Sequence, residues 1–394
     1  MKIALVHKRL ELRGGTERVL YRTAEGLRDR GHEVHLFCGR FLIPPPEGVF
    51  AHRVPCIAWP RTARLLSFAV LSPKIIARFS WDAVMSFDRI TRQDVFRSGG
   101  GPHRLFIQKM AQDQGRWKAL WYRISPYHRS VLMIERWQMS AAGSRKIIAV
   151  CRQVKREIVD TYRVPDAKVV VIHNGVDHER FHPRRRWKEG SEIRDELGIP
   201  ADRPVVLFVG TGFRRKGLDR LLRLWNDHEL EGVCLLVVGN DSRLSSYRSR
   251  CKRKEIVFVG TQPHVEKYYA AANLFVLPSI QEAFGNVVLE ALASGLPVIT
   301  VAGVGPTDKM EGELKEGILA DPDDPIELKR KILRFLDPAR WSSLSQQARQ
   351  LAETFSWQRY LDEVENCLGN ILARRRTDEV CQRVHTGDVN RHFR

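Results

Sequence analysis

The feature that most constrains this chain is a series of short, nearly continuous runs of Val, Ile and Leu along its 394 residues. KIALVH (2–7), EVHLFCG (33–39), AVMSFD (83–88), KIIAVC (146–151) and KVVVIHNG (168–175) mark the first half. VVLFVG (205–210), CLLVVG (234–239), IVFVG (256–260), LFVLPS (274–279) and PVITV (297–301) mark the second. A strand with one wet face alternates apolar and polar residues. These runs do not alternate, so they read as strands buried on both faces. Longer amphipathic segments separate them, and strand, helix, strand order implies parallel sheets with right-handed crossovers.

The segment 182–204 breaks this rhythm with prolines, an Arg run and the short polar stretch DELGI, and reads as a linker. It divides a first domain over 1–181 from a second over 205–354, in keeping with the length of the chain. The expected class is α/β, with two doubly wound Rossmann-like domains facing each other across a cleft at the carboxyl ends of their sheets. Beyond Arg374 the composition turns polar, and 374–394 is expected to be a disordered tail.

No run approaches the roughly 18 to 20 uncharged apolar residues of a membrane span, and the opening MKIALVHKRL reads as a strand rather than a signal. Seven cysteines lie without CxxC or zinc-ligand spacing, which favours a reducing, cytoplasmic setting. The formal charge of +19 is one-sided: residues 1–170 hold 31 Lys and Arg against 14 Asp and Glu, the remainder 34 against 32. Such asymmetry suits a polyanion, either nucleic acid or an anionic membrane leaflet, although a solvated basic surface also accounts for the charge. No recognition helix, stacking platform or named nucleic-acid module accompanies it, so no nucleic-acid partner is expected.

The most informative string is PSIQEAFGNVVLEALASGLPVIT, 278–300. A strand ends at Pro278 and Ser279, a loop carries Glu282, and a helix is expected to start near Phe284 or Gly285, with Glu290 about two turns inside it. The free N–H groups of a helix start, at Phe284, Gly285, Asn286 and Val287, suit a diphosphate. A carboxylate accepts two hydroxyl hydrogen bonds at once, so Glu282 and Glu290 are natural readers of vicinal diols. Either acid alone is as readily a surface or helix ion pair, and the complete string favours the ligand.

Three further stretches belong to the argument. In VGTGFRRKGLDRLL, 209–222, Arg215 and Lys216 follow a strand end, where cations neutralise a leaving diphosphate. Arg214 is expected to face solvent. In HKRLELRGGTERVL, Gly14 and Gly15 let backbone approach a ligand, and Thr16 is a candidate helix N-cap. In DVFRSGGGPHRLF, Asp94 and His103 bracket a glycine loop, where either could orient an acceptor hydroxyl or take its proton. Each stretch alone also fits an ordinary turn or solvated surface. The histidines form no metal-ligand cluster, and no HExxH is present.

Together these pieces resemble the retaining GT-B glycosyltransferases of family 4, whose signature of Glu, seven residues and Glu appears as Glu282-AFGNVVL-Glu290. VIHNGVD (171–177), VGTGFRRKG (209–217) and YYAAANLFVLPS (268–279) look like further family segments, and FSWQRYLDEVENCL (355–368) like its closing helix, about 355–373, returning to the first domain. FRRKGLDR and DVFRSGGGPHR look most like the group of lipopolysaccharide core glucosyltransferases acting on heptose. The chain departs from the family at His264 and Asn273, where Asp is common, and in GVGPTDKMEG at 303–312.

The resemblance implies roles. Glu282 would bind hydroxyls of the transferred sugar and Glu290 those of the ribose. Arg215 and Lys216 would hold the diphosphate with backbone at Gly15 and at Phe284–Val287, and Asp94 and His103 would lie on the acceptor side. The expected activity is hexosyl transfer with retention, from a nucleotide-sugar, UDP-sugars first, to a saccharide or glycolipid acceptor. No obligatory metal or cofactor is expected. The basic first half would rest on the inner face of the cytoplasmic membrane. A nucleotide-sugar 2-epimerase would share the architecture. A phosphorylase would also need a pyridoxal-phosphate lysine, to which nothing points.

Overall fold

The computed structural model describes residues 1–11, 14–226, 228, 230–251 and 253–389. The chain divides into two compact units. One comprises Met1–Val150, Val154–Ile172 and the chain from Gln358 onward, and the other Cys151–Gln153 and His173–Trp357.

In the first unit the elements run β1 (Lys2–Leu10), α1 (Gly15–Asp29), β2 (Glu33–Phe41), β3 (Phe50–Arg53), α2 (Arg61–Ile76), β4 (Ala83–Ser86) and β5 (Val95–Ser98). Then follow α3 (His103–Gln114), α4 (Arg116–Ile124), α5 (Pro126–Met139), β6 (Lys146–Ala149), α6 (Arg152–Tyr162) and β7 (Val169–Val171). The strands form one parallel sheet in the order β3-β2-β1-β4-β5-β6-β7. Successive side chains of a strand point to opposite faces. Ile3, Ala4, Leu5 and Val6 are all fully buried, which is why KIALV carries no alternation. Ala4 and Val6 pack on one face with Phe37, Val54, Phe68, Ile76 and Ile90.

The second unit contains α7 (Glu189–Glu196), β8 (Val205–Thr211), α8 (Phe213–Lys216), α9 (Leu218–Asn226), β9 (Cys234–Asn240), α10 (Leu244–Arg250), β10 (Ile256–Gly260) and α11 (Val265–Ala271). It continues with β11 (Leu274–Leu277), α12 (Asn286–Ala293), β12 (Val298–Val301), α13 (Gly312–Lys315), β13 (Ile318–Leu319), α14 (Pro325–Phe335) and α15 (Pro338–Glu353). Its parallel sheet has the order β10-β9-β8-β11-β12-β13. Strand order reverses between β8 and β11, the position where doubly wound sheets bind ligands.

The segment read as a linker is built into the second unit. Arg194 of α7 donates from Nε to Ala271 O (2.9 Å), from NH1 to the carbonyls of Pro200, Ala201 and Arg203, and from NH2 to Asn273 Oδ1 (2.7 Å). Gly190 lies so close to α11 that a Cβ would meet Ala270 O at 2.5 Å. Within the Arg run itself, Arg186 donates to Ala272 O and lies over the Trp341 ring (4.4 Å), so the run is not simply solvated.

The last helix, α16, spans Trp357–Val389, and its part from Gln358 belongs to the first unit. Tyr360 OH lies 2.9 Å from Thr23 Oγ1, and Arg30 pairs with Asp362 and Glu365. The helix continues past Arg374, where the sequence places a tail. The residues there are polar, and no Pro or Gly interrupts them before Gly387. Residues 390–394 lie outside the described residues.

Candidate active site

In the second unit, the loops following β8 and β11 meet at the switch point. After β8 the backbone turns left-handed at Gly212 (φ 73°) and again at Gly217 (φ 83°), which confines Phe213–Lys216 to a single helical turn. A Cβ on Gly217 would lie 1.9 Å from Pro278 O, so only glycine lets this turn press against the end of β11. Ile280 N donates to Arg215 O (2.9 Å), and Arg220 NH1 to Pro278 O (2.7 Å). These bonds set Lys216 and Arg215 beside Glu282.

Lys216 is buried and its Nζ pairs directly with Glu282 Oε2. Arg215 NH1 lies 3.6 Å from the same oxygen and donates to Gln281 O (3.0 Å). The carboxylate also accepts the N–H of Gly285. Burial alone would raise the Glu282 pKa, but the Lys216 ammonium and the Arg215 guanidinium hold it below its ordinary value. Glu282 is therefore an anion in a nest of two cations and a backbone donor.

Gly285 caps α12 in the left-handed conformation (φ 72°). The helix starts at Asn286, so Glu290 is one turn inside it rather than two. Glu290 is buried and its Oε2 accepts from Tyr269 OH (3.0 Å). Asn286 Oδ1 accepts from Asn174 Nδ2 (2.8 Å), Val287 O from Tyr269 OH (3.2 Å), and Phe284 O from Gly305 N (2.9 Å). The N–H groups of the first helical turn are those an anion can take. Arg214 is partly buried rather than simply solvent-facing.

Two features that depart from the resembled pattern have structural roles. Asn273 Oδ1 accepts from Val205 N (2.9 Å) as well as from Arg194. In the stretch 303–312, Asp308 Oδ2 accepts from Arg152 N (2.6 Å) and pairs with His173 Nε2 (2.9 Å). His264, by contrast, is largely exposed beside Glu266.

The first unit separates residues that the sequence brackets together. Asp94 precedes β5, at its amino end. Its Oδ2 accepts from Val84 N (2.8 Å), and its carbonyl from Arg145 N and Lys146 N. It therefore sits at the end of the sheet away from the glycine loop, with a chain-pinning role. His103 opens α3 beyond the carboxyl end of β5. Its N–H donates to the buried Glu135 (2.9 Å) and its Nε2 meets His128 Nδ1 at 2.9 Å. Burial, followed by the charge of Arg89, lowers its pKa to about 3, so its ring is neutral near pH 7. Gly14, not Thr16, caps α1, and Gly15 is its first residue. A Cβ on Gly14 would fall 1.8 Å from Glu17 Oε2, so the glycine makes room for a carboxylate folded beneath the loop.

That carboxylate belongs to a group the sequence reading missed. His7, inside β1, lies with Nε2 3.6 Å from Glu17 Oε1 and Nδ1 3.6 Å from Asp88 Oδ2, all three buried. Burial would raise the Glu17 pKa, but His7 and the helix backbone bring it down to about 2. The signal was available in GGTER, where an acid stands two residues beyond the glycine pair. Arg97, at the carboxyl end of β5, is almost fully buried over the Phe87 ring. Among the described residues no three His, Cys, Asp or Glu side chains converge as metal ligands. No helix described is long and apolar enough to cross a membrane.

Comparison with known proteins agrees with this geometry. Residues 13–180 match the model of Glycosyltransferase Family 4, and residues 190–353 that of Glycosyl transferases group 1. The chain is a glycosyltransferase of the GT-B superfamily, related to family 4 and to WaaG-type lipopolysaccharide glycosyltransferases. It is 27% identical to an uncharacterized glycosyltransferase, MJ1607, of Methanocaldococcus jannaschii, over 87% of this chain and 91% of that one. It is 24% identical to the lipopolysaccharide glucosyltransferase WaaG of Escherichia coli, over 86% and 91%. A crystal structure of WaaG superposes with a TM-score of 0.77 at 21% identity, covering 93% of this chain and 99% of that one.

Proposed function

We propose that the protein transfers a hexose from a nucleotide-sugar, a UDP-sugar first among candidates, to a saccharide or glycolipid acceptor with retention of configuration. One observation carries this reading: Lys216, Arg215 and Glu282 converge at the β8–β11 switch point, beside the start of α12 and Glu290. Glu282 binds hydroxyls of the transferred sugar, and Glu290, held by Tyr269, those of the ribose. The diphosphate sits against Lys216, Arg215 and the backbone of Phe284, Gly285, Asn286 and Val287. These cations stabilise the charge that grows on the leaving diphosphate. The acceptor hydroxyl attacks from the leaving-group face and gives its proton to the departing phosphate, so no side-chain base is required. No obligatory metal enters this scheme.

Acceptor recognition falls to the carboxyl edge of the first sheet, where His103 is a neutral donor or acceptor. Asp94 has no part in it, since its carboxylate is bonded at the opposite end of the sheet. A lipopolysaccharide core heptose is our candidate acceptor. The one-sided charge supports a peripheral location, with the first unit against the inner face of the cytoplasmic membrane.

The decisive experiment is Glu282→Ala with donor and acceptor supplied. Turnover should disappear while the circular dichroism spectrum stays that of the wild type. Turnover near the wild-type rate would remove Glu282 from the site. Release of an altered free sugar without any acceptor would establish the epimerase instead.

A further inference from the structure

We infer that the first unit carries a second ligand site, away from the reaction face, for a small organic anion: a flat ring compound bearing a phosphate. The site is a cavity of about 740 Å³ at the amino ends of β4 and β5. That is the opposite end of the sheet from the glycine loop and His103, so the site goes beyond the transfer reaction proposed above. Its volume is that of an ordinary small-molecule pocket.

The segments around it are pinned to one another. Pro73, inside α2, has no N–H, which leaves Ala69 O without its helical donor. Thr91 takes that oxygen with both its N and its Oγ1, each at 3.2 Å. Gln93 donates to Gly143 O from its backbone and from its side chain, which ties the loop before β6 to the same segment. Trp81 Nε1 donates to Ile76 O (2.8 Å), and its ring meets that of Phe79 edge-on at 6.0 Å.

The lining divides by chemistry. Val70, Ala77, Phe79, Trp81 and Ala142 are apolar or aromatic, and Phe79 is 51% exposed. Lys74, Arg92 and Arg145 are exposed cations, against Asp94 as the one acid of the lining. Asp94 is bonded to Val84 N, and Arg145 Nε stands 3.9 Å from its other oxygen. The side chains of Lys74 and Arg92 have no hydrogen-bond or ion-pair partner among the described residues. Three cations and one acid repel a metal ion and attract an anion. Lysine and arginine give a phosphate charge-assisted hydrogen bonds, and the two aromatic rings give a flat apolar body a surface to pack on. A bare anion would leave those rings exposed, and an uncharged ring would leave the cations unmet.

The test is titration calorimetry on the full chain with naphthyl phosphate, naphthol and inorganic phosphate. The ester should bind at least roughly tenfold more tightly than either of the other two. Lys74→Gln combined with Arg92→Gln should weaken it about tenfold or more at an unchanged unfolding midpoint, since neither side chain is bonded within the fold. Ala142→Trp, which fills the cavity from an exposed position, should weaken it as much without a change of charge. Glu282→Ala should bind the ester as wild type does, and saturating UDP should not displace it. Equal binding of naphthol would mean that the cations have no part, and equal binding of phosphate that the rings have none; either result overturns the site. So does the absence of binding at about 1 mM ester. Displacement by UDP, or loss in Glu282→Ala, would put the ester on the second unit and overturn it too, as would wild-type affinity in both cavity variants. Failure of the transfer reading leaves these outcomes intact, because none is read through turnover.

Discussion

At Gly285 the backbone is left-handed (φ 72°), and a Cβ would lie 2.7 Å from Val304 Cγ1. The sequence suggests a ligand as the reason for this glycine; the structure supplies one in the fold itself. Gly285→Ala should therefore cost about 2 kcal/mol, from left-handed strain and displacement of Val304, read as a lower urea midpoint at unchanged slope. His103 gives a pH-dependent counterpart. Its folded pKa, about 3, lies below the ordinary 6.5, so the unfolded chain takes up the proton first as pH falls. Stability contributed at this position is present above pH 6.5 and is lost progressively towards pH 3. The loss is at most about 1.4 kcal/mol per pH unit, and less because the ring is only partly buried. His103→Asn should flatten the dependence of the urea midpoint on pH in this window, and an unchanged slope would refute the assignment.

Among the elements, α7 shows how one side chain can decide where a domain begins. Arg194→Met removes a guanidinium that donates to four carbonyls and to Asn273, and should destabilise the second unit by roughly 3 kcal/mol in chemical unfolding. Arg194→Lys, with fewer donors in no fixed fork, should recover only part. The sequence exposes ten strands because their apolar runs are buried on both faces. It conceals β5, whose VFRS carries a buried arginine, together with the polar edge strand β3 and the two-residue β13. Missing β5 had a further effect. With no strand between them, Asp94 and the glycines read as one loop, although the length of β5 separates them. In the second unit Glu282, Lys216 and Arg215 were readable because each follows directly on an apolar run. Tyr269, Asn174 and Asp308 were not, although each lies in a stretch quoted above, because only packing shows which side chains of those stretches reach this part of the unit.

For the molecule as a whole, two compact units with separate cores make ligand linkage a selective probe. A donor seated on the second unit adds about 2.7 kcal/mol at a concentration one hundred times its dissociation constant. For a unit of this size the midpoint should rise by about 5 to 10 °C. Thermal scans with UDP-, GDP- and ADP-sugars should show that rise with one nucleotude class, and Glu290→Ala should reduce it. The absence of any rise with all three would remove the donor reading.

The helix from Trp357 has a consequence for how such a chain is made. Tyr360, Asp362 and Glu365 complete a unit that begins at Met1 by bonding to Thr23 and Arg30. On the ribosome, those first residues emerge long before their partners, whereas everything the second unit needs has emerged by Trp357. The downstream body can settle while the upstream one still lacks its last helix, so the order of completion reverses the order of synthesis. A chain truncated after Trp357 and released from the ribosome should already resist protease across 173–357 and remain open to cleavage within 1–172.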